Sequence, residues 1–93
     1  MRKGTGMPRN ENVFDELRAE VVRAENKHAP MSSAHEGYAV ILEEMDELKE
    51  EVWKGGRIPR DWEAMRKEAI EVAAMCLRLV RDVIEPEISK KKP

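Results

Sequence analysis

The stretch "SAHEGYAVILEEMDELKEEVWKGG", residues 33–56, contains the start, the body and the end of one predicted helix. Ser33 followed three residues later by Glu36 is a capping box, in which each side chain accepts a hydrogen bond from the other residue's backbone amide. Apolar residues then recur at the three- and four-residue spacing of one helix face. Gly55 and Gly56 end the helix. The apolar face comprises Tyr38, Ile41, Leu42, Met45, Leu48 and Val52.

The flanking sequence predicts two more helices. The first extends from about Val13 to His28, and Pro30 ends it because the residue before a proline is pushed out of helical conformation. The third has Pro59 in its first turn and ends at Pro86. Helices two and three are joined by a short link, which favours antiparallel neighbours. The apolar face of the third helix comprises Trp62, Met65, Ala69, Val72, Ala73, Cys76, Val80 and Val83.

The predicted fold is therefore all-α, with three amphipathic helices. The third helix is apolar over a wide arc, because four further apolar residues flank its main face; they are Ile70, Leu77, Leu79 and Ile84. This surplus predicts a second buried surface and a homo-oligomer, a homodimer or tetramer that completes a four-helix-type bundle. Residues 1–11 are predicted to be a flexible N-terminal arm, residues 12–86 the helical domain, and residues 87–93 a basic C-terminal tail.

Composition narrows the functional classes. Charged residues make up 39% of the 93-residue chain, aromatic residues 4%, and the net charge is −2. Removing six basic tail residues leaves 11 basic against 19 acidic residues, so the body carries about −8, which argues against a nucleic-acid platform. The single cysteine, Cys76, excludes a disulfide within the chain and is expected to be a small core residue. No apolar run suits a membrane span or a signal peptide, so we expect a cytoplasmic protein.

Six carboxylates and one lysine lie between residues 41 and 53. At about 100° per residue, Glu43, Glu44 and Glu47 gather on one side of the helix, while Asp46 and Glu50 point to the other flank. Like charges at this spacing repel. The stretch is either a solvated helix face or half of a cation site.

A second acidic pair, Glu68 and Glu71, lies on one side of the third helix. If helices two and three are antiparallel, this pair could meet Glu44 and Glu47 across the groove between them. Carboxylates without histidine or cysteine are hard ligands, which suit Mg²⁺ or Mn²⁺. Mg²⁺ often shares its coordination shell with phosphate oxygens, so the pattern favours a phosphate-bearing substrate.

The two acidic segments resemble a known family. Glu43-Glu44-Met45-Asp46-Glu47 matches the E-E-x-x-E motif of the MazG-like all-α nucleoside triphosphate pyrophosphohydrolases, in their short single-domain phage and bacterial form. Glu68-Ala69-Ile70-Glu71 stands where the family has E-x-x-D, with Glu in place of Asp at position 71. The resemblance covers about residues 33–84.

The resemblance implies Mg²⁺-dependent hydrolysis of nucleoside triphosphates to a monophosphate and pyrophosphate. It assigns metal binding to Glu43, Glu44, Glu47, Glu68 and Glu71, and activation of the attacking water to Glu47 or Glu44.

Three residues near the Gly-Gly link are weaker candidates for substrate contact. Trp53 could stack on a base, and Lys54 and Arg57 could attract a triphosphate; alternatively, all three are ordinary loop residues. The alternative function is a non-catalytic nucleotide-binding or protein-interaction module on the same scaffold.

Overall fold

The computed structural model describes residues 9–54 and 59–91, with side chains from residue 12 onward. Its helices are α1 (Arg9–Lys27), α2 (Ala34–Val52), α3 (Trp62–Leu79), a π-helical turn (Val80–Ile84) and α4 (Glu85–Lys90). The described ranges contain no strand, which confirms the all-α prediction. The first helix begins four residues earlier than predicted. None of the helices in these ranges is long and apolar enough to cross a membrane.

Helix α3 is the central element, because it packs against both α1 and α2. Helix α2 is antiparallel to α3, as predicted: Gly37 near its start approaches Leu79, and Glu44 further along lies beside Glu71. Helix α1 is parallel to α3, since ion pairs join Glu16 to Arg66 and Glu25 to Arg81. A cleft therefore opens between α1 and α2, with α3 as its floor.

The start of α2 is capped by Ser33. The Ser33 hydroxyl accepts from the Glu36 amide at 3.0 Å, as the capping box predicts. The Glu36 carboxylate, however, accepts from the amide and the hydroxyl of Ser32, one residue earlier than the motif requires. These two hydrogen bonds lower the pKa of Glu36 from its ordinary value.

The linker between α1 and α2 is anchored by two charged side chains, one from α3 and one from the π-turn that follows it. The buried Arg78 guanidinium donates to the Ala29 carbonyl at 2.9 Å. The Asp82 carboxylate accepts from the Met31 amide, also at 2.9 Å. Met31 is itself buried, so these contacts hold one wall of the cleft in place.

The hydrophobic core is small. Its buried members are Val21, Ala24, Met31, Ala74 and Met75, and the half-buried side chains around them are Leu17, Val40, Ile41, Leu79 and Val83.

The predicted apolar faces are only partly correct. Cys76 is exposed, and Trp62 and Tyr38 expose 65% and 62% of their surface. Helix α3 contacts α1 and α2 on two flanks. The residues of α3 that are buried are therefore Ala74, Met75 and Arg78, and none of them belongs to the predicted apolar face.

Both proline boundaries of the third helix differ from prediction. Pro59 lies outside α3, whose N-cap is Asp61; its side chain accepts from the Ala64 amide at 3.0 Å. Pro86 does not end the helical path, which continues to Lys90. A proline ring clashes with the carbonyl four residues earlier in an α-helix. The preceding π-turn, in which the Glu85 amide donates to Val80, widens the helix and accommodates the ring.

Candidate metal centre

Four glutamates converge at the middle of the groove between α2 and α3. Glu44 and Glu47 come from α2, and Glu68 and Glu71 come from α3. One carboxylate oxygen from each side chain lies within 4.8 Å of the other three. The three-residue spacing in each helix and the antiparallel packing place Glu44 opposite Glu71 and Glu47 opposite Glu68. The structure thus brings together four of the five predicted ligands.

The positive charge beside the cluster does not balance its four carboxylates. Burial, followed by the charge of Glu47 and contact with Glu71, raises the pKa of Glu44 to about 7. Burial and the neighbouring Glu71 also raise the pKa of Glu68. Within the cluster, an ion pair of 3.0 Å joins Lys67 to Glu71. Several carboxylates that are partly removed from water repel one another unless they are protonated or share a cation.

Two oxygens in the cluster lack hydrogen-bond partners. Glu44 Oε1 and Glu68 Oε1 are both shielded from solvent and unbonded. A shielded carboxylate oxygen without a partner is unfavourable, and a divalent cation is one group that would satisfy it. The donor set consists only of carboxylate oxygens, which are ligands for hard divalent cations such as Mg²⁺, Mn²⁺ and Ca²⁺.

A cavity of about 590 Å³ adjoins the cluster between α1, the α1–α2 linker and α2. Its volume falls within the range of about 300–1,000 Å³ that is usual for small-molecule sites. Glu43, Glu44 and Glu71 line the acidic side. The linker side carries both signs of charge, from Arg23, Lys27 and Arg78 with Glu20 and Glu36, and the imidazole of His28. Arg23 is paired with Glu20. The lining is therefore mixed in charge, with carboxylates in excess.

The remaining predicted site residues lie elsewhere. Glu43 lines the cavity but does not join the four-glutamate cluster. Trp53 exposes 76% of its surface, and Lys54 pairs with Glu51 at 3.0 Å; neither lines the cavity. Nine residues separate Trp53 from Glu44, which corresponds to about 14 Å along a helix. Arg57 lies outside the described residues.

Arg78 was not predicted from the sequence as a site residue. This residue lines the cavity, is almost fully buried and has a shielded Nε without a partner. The sequence contains a signal for this residue. Arg78 lies on the same helix face as Met75 and Asp82, three residues after the first and four before the second. A buried charge at such a position requires partners.

Comparisons of the chain with family models, with curated proteins and with solved structures found no match.

Proposed function

We propose that the protein is a Mg²⁺-dependent hydrolase that converts nucleoside triphosphates to a monophosphate and pyrophosphate. The observation that carries the proposal is the four-glutamate cluster with its two shielded, unpartnered oxygens, Glu44 Oε1 and Glu68 Oε1. The E-E-x-x-E resemblance of residues 43–47 supports the same reaction. A cytoplasmic location, where nucleotides are abundant, belongs to this proposal.

The residues that would hold the metal are Glu44, Glu47, Glu68 and Glu71. When bound, Mg²⁺ (or Mn²⁺) would polarise phosphoryl oxygens and neutralise their charge. Glu71 is one methylene longer than the aspartate of the resembled motif, yet its carboxylate lies within the cluster. The same carboxylate pairs with Lys67, one turn earlier on α3, at 3.0 Å. The substitution is therefore compatible with a complete ligand set.

The side chains around the metal would activate the attacking water and bind the phosphate chain. Glu47 is the exposed member of the cluster, so its carboxylate is accessible for orienting and deprotonating an attacking water. Glu44 lies deeper and would assist it. Lys27, at the linker side of the cavity, would attract the phosphate chain and hold it in line with the cluster.

The test is pyrophosphate release from a panel of nucleoside and deoxynucleoside triphosphates in the presence of Mg²⁺. We expect Glu44→Gln and Glu68→Gln each to reduce turnover by about 100-fold or more, as is usual when a group acting on the developing charge is lost. Glu50→Gln is the matched control, because Glu50 is an exposed glutamate of α2 outside the cluster. Absence of turnover on every nucleotide would overturn the proposal.

A non-catalytic module is the second candidate. It is favoured by the lining of the cavity, which contains no Phe, Tyr or Trp to stack on a base among the described residues. Isothermal titration calorimetry separates the two candidates, since nucleotide binding without hydrolysis indicates a binding module. If neither Mg²⁺ nor nucleotide binds or raises the melting temperature, a protein-interaction module is favoured.

A further inference from the structure

The buried guanidinium of Arg78 has donors that no oxygen accepts from. Its side chain exposes only 4% of its surface and lines the cavity beside the carboxylate cluster. Nη2 donates to the Ala29 carbonyl at 2.9 Å, Nη1 reaches only the Met75 sulfur at 3.7 Å, and Nε has no partner among the described residues. Sulfur is a weak acceptor, and a buried donor without an acceptor is unfavourable. The side chain therefore offers donors to a ligand in the cavity.

The charge of Arg78, unlike its donors, is already matched. Asp82 Oδ2 lies 3.9 Å from Nη2, and the Glu36 carboxylate lines the same side of the cavity. An anionic group of a ligand would meet these two carboxylates and be repelled by them. A neutral acceptor, such as a carbonyl oxygen, would use the free donors without adding negative charge.

The cavity is apolar between Arg78 and the carboxylate cluster. Val40 lies one turn before Glu44 on α2, and Met75 lies one turn after Glu71 on α3. Methionine sulfur makes favourable contacts with aromatic rings. This part of the cavity therefore suits a flat aromatic ring, although its described lining contains no aromatic side chain. Its apolar residues are Ala24, Met31, Val40 and Met75.

Arg78 and the cluster lie at two ends of the same cavity. Seven residues separate Arg78 from Glu71, which corresponds to about 10 Å along α3 and about 20° around its axis. Both side chains are therefore on one side of the helix, two turns apart. A nucleotide whose phosphates lie at the cluster would direct its base toward Arg78, because the sugar holds the base and the phosphates apart.

We propose that Arg78 selects keto bases (guanine, thymine or uracil) by donating a hydrogen bond to the base carbonyl, with the ring packed against Met31 and Met75. Guanine and thymine carry an acceptor oxygen where adenine and cytosine carry an amino donor. Arginine has donors only, so an amino base would oppose donor to donor. Met75 is flexible, so its sulfur can give up its place at Nη1 to the base oxygen. The inference rests on the proposed function only in that the cavity binds a nucleotide.

The first test measures the affinity of the wild type for nucleoside monophosphates by calorimetry in the presence of Mg²⁺. Inosine and adenosine monophosphate carry a carbonyl and an amino group, respectively, at position 6. Uridine and cytidine monophosphate differ in the same way at position 4. We expect the keto member of each pair to bind about 10-fold more tightly or better, as for one correctly read base edge. Equal affinity within either pair, or no binding at about 1 mM, would overturn the proposal.

Replacing Arg78 with Gln tests the donor itself. A glutamine amide can donate to a carbonyl or accept from an amino group. In the variant, with its fold checked by circular dichroism, we expect the keto preference to fall below about 2-fold. A merely structural role would leave the preference unchanged, and that result would overturn the proposal. Arg81→Gln is the matched control, because Arg81 is exposed, lies outside the cavity and should leave the preference intact.

A second variant keeps the proposal testable if Arg78→Gln does not fold. Val40→Phe fills the apolar part of the cavity and should weaken the binding of inosine monophosphate by about 10-fold or more. Binding of pyrophosphate with Mg²⁺, which has no base, should be unchanged. Val22→Phe makes the same replacement at an exposed position of α1 outside the cavity and should affect neither ligand. Undiminished binding of inosine monophosphate to Val40→Phe would overturn the proposal.

Pyrophosphate release separates this inference from the proposed hydrolase activity. Equal release from all nucleoside triphosphates would overturn the base selection by Arg78 and leave the hydrolase standing. A keto preference in binding without release from any triphosphate would support the base selection and indicate a binding module.

Discussion

Two levels of the α2–α3 pair differ in how well their polar groups are satisfied. Where α2 begins, here called the anchored end, Glu36 accepts two hydrogen bonds from Ser32, and Arg78 donates to Ala29. Two turns along α2, Glu44 has a shielded oxygen without a partner. The pKa of Glu36 is lowered and that of Glu44 is raised to about 7. One end therefore stabilises the fold, whereas the carboxylate cluster opposes it until the charge is neutralised.

Replacing Arg78 with Met tests the anchored end most severely. The variant keeps an unbranched side chain but removes the donor to Ala29 and leaves Asp82 without its nearby positive charge. We expect the free energy of unfolding to fall by about 3 kcal/mol, as for the loss of one partner of a buried charged pair. Urea-induced unfolding measures it. Arg81→Met is the control: Arg81 is an exposed partner of Glu25 and should cost less than about 1 kcal/mol. Equal losses would contradict the anchoring role of Arg78.

Replacing Gly37 with Val tests the close packing at the same end. A Cβ atom on Gly37 would lie 2.6 Å from Leu79 Cδ1 and 3.1 Å from Met31 Sδ. A branched side chain should therefore separate α2 from α3 and lower the free energy of unfolding by about 1–3 kcal/mol. Ala39→Val, two residues further along and exposed, controls for the lower helix propensity of valine. A variant no less stable than this control would show that α2 and α3 do not approach closely at Gly37.

Removing the charge of Glu44 should have the smallest effect, and in the opposite direction. The folded protein raises the pKa of Glu44 from 4.5 to about 7, so it binds this proton more strongly than the unfolded chain does. The contribution of Glu44 to stability is then fully present below about pH 4.5, declines as the pH rises and is lost above about pH 7. Without divalent cations, Glu44→Gln should melt at a higher temperature than the wild type at about pH 8.

The difference between Glu44→Gln and the wild type should shrink at about pH 5, where the wild-type carboxyl is largely protonated. Thermal unfolding in a chelator at both pH values measures this. Glu50→Gln serves as the control, since this exposed residue lies outside the cluster and should retain the wild-type pH dependence. A Glu44→Gln variant with the wild-type pH dependence would show that the cluster carries no electrostatic penalty.

The sequence predicted the helices and both acidic pairs because these features are local. Apolar spacing predicts a helix, and Glu44 and Glu47 share a side whatever they face. Whether the two acidic pairs meet depends on how far α2 and α3 are shifted along each other. That level depends on the close approach of Gly37 to Leu79, which a one-dimensional pattern does not contain.

Two misjudged features have a different physical origin. Cys76 of α3 and Tyr38 of α2 belong to apolar faces by spacing. Both are exposed because the helices pack against one another through other sides of α2 and α3. Pro86 is a reliable helix terminator only while the preceding turn is α-helical, and the π-turn at Val80–Ile84 removes that condition. In both cases, the outcome was decided by neighbouring structure that propensity does not describe.

The π-turn also marks where the helical path departs from α-helical spacing. A π-turn is an α-helix that has absorbed one additional residue, so it compensates for an insertion without moving the segments on either side. Between Glu68 and Arg78 no such turn exists, and a one-residue deletion there would rotate the following side chains by about 100°. Glu68 could then not face the cluster at the same time as Arg78 donates to Ala29. The spacing of α3 is thus as much a determinant of the site as its side chains.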